Sequence, residues 1–124
     1  MMDIEVRTLI EMGRKDILPA MSAEYNFYAE AASKQSKNAP KFFERRMEQL
    51  CELIDNTYAA TEKMTTLWKE ANETGDDVEC GKKIHDTVVP AMEELRKYID
   101  RYEEIASRNF YKLPLYEEML FDFD

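Results

Sequence analysis

Apolar residues in this chain recur every three or four positions over three long stretches, the spacing of one face of an α-helix. In the middle stretch Phe43, Met47, Leu50, Ile54, Thr57, Thr61, Met64 and Trp68 step by 4, 3, 4, 3, 4, 3 and 4. That alternation is the seam of an antiparallel bundle or coiled coil. In the third stretch Ile84, Val88, Met92, Leu95, Ile99, Tyr102 and Ala106 carry the same kind of stripe. The first is less regular, with Ile10, Ile17, Ala20, Phe27 and Ala31 expected on one face. The pattern predicts helices over about 3–35, 39–73 and 76–107. Each would be roughly 45 Å long at the usual rise per residue.

The breaks between stretches carry their own chemistry. In Ser36-Lys37-Asn38-Ala39-Pro40, Asn38 is expected to cap and Pro40 to sit in the first turn of the next helix. Near Asn72–Asp77, Gly75 is expected to end a helix in the left-handed conformation, and Asp76 with Glu79 forms a capping-box-like start. Pro19 and Pro90 fall inside the first and third helices, in the similar phrases Ile17-Leu18-Pro19-Ala20-Met21 and Val88-Val89-Pro90-Ala91-Met92. A proline removes one backbone hydrogen bond and crowds the preceding turn, so each helix should kink or split there, a split giving a four-helix appearance. The flanks of the two phrases do not align, which argues against an internal duplication. The expected fold is all-α: a single domain with a bundle of three long helices over 1–108, then an aromatic tail over 109–124.

Composition narrows the class further. A chain of 124 residues suits one domain. Three glycines and four prolines are too few for a turn-dense β fold. With 17 Lys+Arg against 26 Asp+Glu the formal charge is −9, leaving no basic stripe for a nucleic-acid partner and disfavouring an anionic membrane surface. No apolar run approaches the roughly 18 residues of a membrane span. Cys51 and Cys80, without a secretory signal ahead of them, read as reduced thiols in a cytoplasmic protein.

Candidate chemistry is sparse. A di-metal carboxylate bundle needs two Glu-x-x-His elements, whereas the one histidine, His85, has Lys82 three residues before it. Cys51, Cys80 and His85 lack zinc-site spacing, and the isolated Gly13, Gly75 and Gly81 make no phosphate loop. Cys51 beside the seam and Cys80 near an acidic cap are expected to be small buried or half-buried thiols, and His85 a boundary residue. The pairs Glu93-Glu94, Glu103-Glu104 and Glu117-Glu118 point about 100° apart on a helix and so span a solvated face. No catalytic, cofactor-binding or metal-ligating residue is predicted. Met47, Met64 and Met92 read as core filler. The tail is richer than a terminal peptide needs: Tyr111, Leu113, Pro114, Tyr116, Leu120 and Phe121 either fold back on the bundle or dock on another surface.

Several of these phrases together resemble a known family. Ile4-Glu5-Val6-Arg7-Thr8-Leu9-Ile10-Glu11-Met12, Asp16-Ile17-Leu18-Pro19-Ala20, Val88-Val89-Pro90-Ala91-Met92-Glu93-Glu94-Leu95-Arg96, and Asp100 with Glu103 are similar, in order and gap, to the C-terminal region of type III glutamine synthetases. That family closes with a tryptophan-proline-x-proline-threonine-tyrosine phrase and then leucine-leucine-phenylalanine. Here Pro114, Tyr116, Leu120 and Phe121 match, while Tyr111, Lys112 and Leu115 depart. The resemblance implies a C-terminal fragment without the catalytic domains, inactive alone, with a structural or assembly role. The ATP and the magnesium or manganese of the parent reaction, which joins ammonia to glutamate, would belong to the absent domains. Its partners would be the upstream catalytic domain, other subunits of the parent or further copies of itself. From the residues alone, a free-standing helical adaptor or homo-oligomerisation module working through the methionine-rich seam remains the alternative, and a metal-dependent bundle enzyme a third.

Overall fold

The computed structural model describes residues 2–35 and 39–111, and among them the backbone is helical with no strand. Three rods follow one another. The first comprises α1 (Met2–Met12), a π turn (Gly13–Ile17) and α2 (Leu18–Ser33). The second is α3 (Lys41–Asn72) alone. The third comprises α4 (Asp77–Lys83), another π turn (Ile84–Val88) and α5 (Val89–Ile105). The all-α bundle of three long helices is therefore the observed architecture. No helix among the described residues is long and apolar enough to cross a membrane.

Neither proline splits its rod. In each case the turn ahead of the proline widens: the Leu18 N–H donates to Gly13 O, and the Val89 N–H donates to Ile84 O, five residues back rather than four. Pro19 and Pro90 then stand in the first turn of the α segment that follows, where their fixed φ is already helical. A π turn thus precedes each proline where a kink or a split was expected, and the helix runs on through it in both rods.

The core lies where α3 packs against both other rods. Along α3, Leu50, Thr57, Thr61 and Met64 are buried as the seam requires, and Phe43, Met47, Ile54 and Trp68 are half-buried. Leu53, Ala60 and Ala71 are buried as well, because a helix with neighbours on two sides needs a stripe wider than a two-stranded seam. In the third rod Val88, Met92, Leu95, Ile99 and Tyr102 are all buried, with Ile84 and Ala106 half-buried.

The first rod corrects the expected face. Its inward row is Val6, Leu9, Gly13, Ile17, Met21, Glu24 and Tyr28. Ile10, Ala20 and Ala31 are half-buried, and Phe27 is 49% exposed. The π turn shifts the helical phase, and the true row contains a glycine and a glutamate that a count of apolar residues passes over. Gly13 is there because of a close approach: a Cβ on it would lie 2.9 Å from Thr61 Oγ1. The Thr61 hydroxyl is itself committed, donating to Thr57 O at 2.7 Å.

Two caps also differ from expectation. Pro40 precedes α3 rather than entering its first turn, with φ −54° and ψ 141°; Asn38 lies outside the described residues. No glycine among the described residues adopts positive φ, so Gly75 does not close α3 in the left-handed conformation. Instead α3 ends on right-handed Glu73, whose N–H donates to carbonyls of the last turn. At the next start Asp76 caps as expected, its carboxylate accepting from the Val78 N–H at 3.0 Å.

Candidate functional site

The side chains with reactive potential lie apart. His85 is on the surface, 86% exposed, beside Asp86 at 3.2 Å. Both cysteines are free: Cys80 is half-buried as expected, but Cys51 is exposed, because the residue after the seam position Leu50 points about 100° away from it. Among the described residues no three His, Cys, Asp or Glu side chains converge where they could hold a metal ion. Of the acidic pairs, Glu93 and Glu104 face solvent. Glu94 lies 3.8 Å from Lys63 Nζ on α3, and Glu103 accepts from the Tyr111 hydroxyl at 3.0 Å. Glu117-Glu118 lies outside the described residues.

What the structure does assemble is a polar node at one end of the bundle, centred on Glu24. This carboxylate is fully buried. Its Oε1 accepts from the Tyr102 hydroxyl at 3.2 Å, and the Ser107 backbone N–H donates to the same oxygen at 3.2 Å and to Oε2 at 3.4 Å. A buried carboxylate loses its hydration, and donors of this kind are what make the loss tolerable. Burial, and then the charge of Glu24, push the Tyr102 hydroxyl well above the usual phenol range, so it stays protonated and donates. The node joins α2 to the end of α5 and fixes the residue from which the C-terminal segment departs.

Around the node the aromatic rings form a chain. Phe110 lies 5.4 Å from Phe27, which meets Tyr28 edge-on at 5.2 Å, and Tyr28 in turn meets Phe42 edge-on at 5.6 Å. Tyr111 packs its ring edge-on against Tyr102 at 5.5 Å, and its hydroxyl is pushed up by burial and by the charge of Glu103, with Asp16 adding to it. Of the six expected docking residues, Tyr111 is thus buried against its own bundle. Leu113, Pro114, Tyr116, Leu120 and Phe121 lie outside the described residues. Glu24 was missed in the sequence; the signal was available as an acid three residues after Met21 and four before Tyr28, on the stripe itself.

A groove of about 330 Å³ runs between α3 and α5, lined by Arg45, Gln49, Glu52 and Asn56 opposite Arg101 and Glu104, with Leu53 and Ile105 in its floor. Arg45 approaches Glu48 at 3.7 Å, and Arg101 lies over the Tyr98 ring at 5.8 Å. Its lining mixes charges of both signs, Arg45 and Arg101 with Glu52 and Glu104.

No family model matches this sequence, and no solved structure matches it. Among curated proteins, the type-3 glutamine synthetase of Dictyostelium discoideum is 25% identical over 126 residues. The aligned region takes in 95% of this chain and 17% of that enzyme, so the chain spans only a small part of the relative's length. The similarity is distant and partial, and it points to a relation with that family.

Proposed function

We propose that this chain serves as a non-catalytic helical region of a glutamine synthetase of the type III kind, with a structural or assembly role. The observation that carries the reading is the alignment: nearly the whole chain corresponds to a minor part of an enzyme many times its length. The parent reaction, ATP-dependent ligation of ammonia to glutamate with magnesium or manganese, would then be performed by domains other than this one, in the cytoplasm. The partner would be the catalytic part of the same enzyme or neighbouring subunits. The polar node supports the reading in kind, since the most elaborate chemistry among the described residues locks one helix to another.

The test combines this chain with a type-3 glutamine synthetase from which the aligned stretch has been deleted. Light scattering follows assembly, and glutamine formation follows activity. Restored assembly supports the proposal. Failure of the two to associate would overturn it, as would ATP turnover by this chain alone with glutamate, ammonia and magnesium. A chain that ignores the enzyme but dimerises by itself would instead establish the homo-oligomerisation module.

A further inference from the structure

One wall of the groove between α3 and α5 is a row of polar residues with the spacing of a helix seam. Lys41, Arg45, Gln49, Glu52 and Asn56 step by 4, 4, 3 and 4. They therefore lie within an arc of about 80° and run roughly 22 Å along α3. Four of the five line the groove, over a floor that includes Leu53 and Ile105. Lys41, Arg45 and Glu52 are exposed, and Gln49 and Asn56 are half-buried.

Little within the chain engages this row. Among the described residues Arg45 approaches Glu48 at 3.7 Å, and no side-chain hydrogen bond or ion pair holds Lys41, Gln49, Glu52 or Asn56. Further along α3 such groups are committed to the neighbouring rods, Glu62 to Arg14 at 3.1 Å and Lys63 to Glu94 at 3.8 Å.

The order of the row is self-complementary. Laid against its own reverse, it sets Asn56 beside Lys41, Glu52 beside Arg45 and Gln49 beside Gln49. These are an amide carbonyl for an ammonium, a carboxylate for a guanidinium, and an amide that both donates and accepts. A patch that matches itself is what a two-fold dimer requires. We infer that two copies of this chain associate through the α3–α5 groove, their α3 helices antiparallel about a two-fold axis beside Gln49, with Arg45 of each copy paired to the other's Glu52. In about 0.15 M salt the screening length is roughly 8 Å, so the net −9 of each chain is damped at longer range while groups in contact still attract. The pairing needs nothing but copies of this chain, and it stands whether or not the chain serves an enzyme.

Sedimentation equilibrium of the full chain at that salt, up to about 1 mM protein, measures the dimer constant even for a weak contact. Arg45→Glu and Glu52→Arg should each weaken dimerisation about tenfold or more, because each sets like charges face to face on both sides of the axis. Net charge alone predicts otherwise: Glu52→Arg brings the chain nearer neutrality and would tighten a dimer limited by overall repulsion. Arg45→Glu combined with Glu52→Arg in one chain should restore the parental constant. An equal mixture of the two single variants should form a heterodimer, since every facing pair is then of opposite sign. Both positions are exposed, so helical circular dichroism should stay at the parental level throughout. The assignment is overturned if the parent chain stays monomeric, if either single variant dimerises as the parent does, if the double variant fails to recover, or if the mixture stays monomeric.

Discussion

Replacing Glu24 with leucine would keep most of its bulk and leave the Tyr102 hydroxyl and the Ser107 N–H without an acceptor, both at the buried edge of the core. Stranded donors cost about 1–3 kcal/mol each, so Glu24→Leu should lose roughly 2–6 kcal/mol in urea denaturation. An unchanged midpoint would mean that water reaches the node. The Tyr102 hydroxyl gives a second handle at the same scale. Its proton is held more tightly in the folded chain than in the unfolded one, where phenols release theirs near pH 10. The associated stability is complete below about pH 10 and is lost as the pH climbs towards the higher folded value, at up to about 1.4 kcal/mol per pH unit. Tyr102→Phe removes this dependence, so its stability should fall less steeply than that of the parent chain between about pH 10 and 11. Equal slopes would show that the hydroxyl ionises freely. Neither residue was legible as a site in the sequence: Tyr102 was placed correctly as a core position, but the stripe could not say which acid it would meet across 78 positions of chain.

At the scale of elements, the two prolines separate a strained helix from an accommodated one. If Pro19 or Pro90 sat in an ordinary helix interior, its removal would return about 3 kcal/mol. The π turns place each at the head of an α segment instead, where its fixed φ costs nothing and restricts the unfolded chain. Pro19→Ala and Pro90→Ala should therefore destabilise slightly, by up to about 1 kcal/mol. A gain of 2 kcal/mol or more in thermal or urea unfolding would show that the turns carry strain. The rods themselves were readable, since apolar spacing locates a long amphipathic helix well. The third rod came out as expected for that reason. The first did not, because a π turn inserts a residue without leaving a mark in composition, and the inward row then runs through Gly13 and Glu24, which are chosen for close approach and for hydrogen bonding rather than for apolarity. Gly75 departs from expectation for a related cause: α3 closes on the bonds of its own last turn, so no left-handed residue is needed there.

For the molecule as a whole the dominant long-range force is its own charge. The chain's formal −9 repels itself, and compaction raises that repulsion relative to the unfolded chain. Opposing it are surface ion pairs such as Arg7 with Asp3 at 3.3 Å, Lys15 with Glu11 and Arg14 with Glu62 at 3.1 Å, all with substantially exposed partners. Pairs of that kind contribute about 0–1 kcal/mol each and are weakened by salt. The two effects therefore predict opposite responses to ionic strength. Because the excess of negative charge on the chain acts at every separation, while each pair is short-ranged and wet, repulsion should win. Raising salt from about 0.01 M to 1 M shortens the screening length from roughly 30 Å, the scale of the bundle, to about 3 Å, the scale of one contact. The urea midpoint should rise over that range and level off once the screening length falls below the distance between rods. A midpoint that falls instead would assign the stability to the surface pairs. The same excess charge bears on assembly: two bundles of this sign repel, so any association between copies should also strengthen with salt, whereas docking on a basic partner surface should weaken.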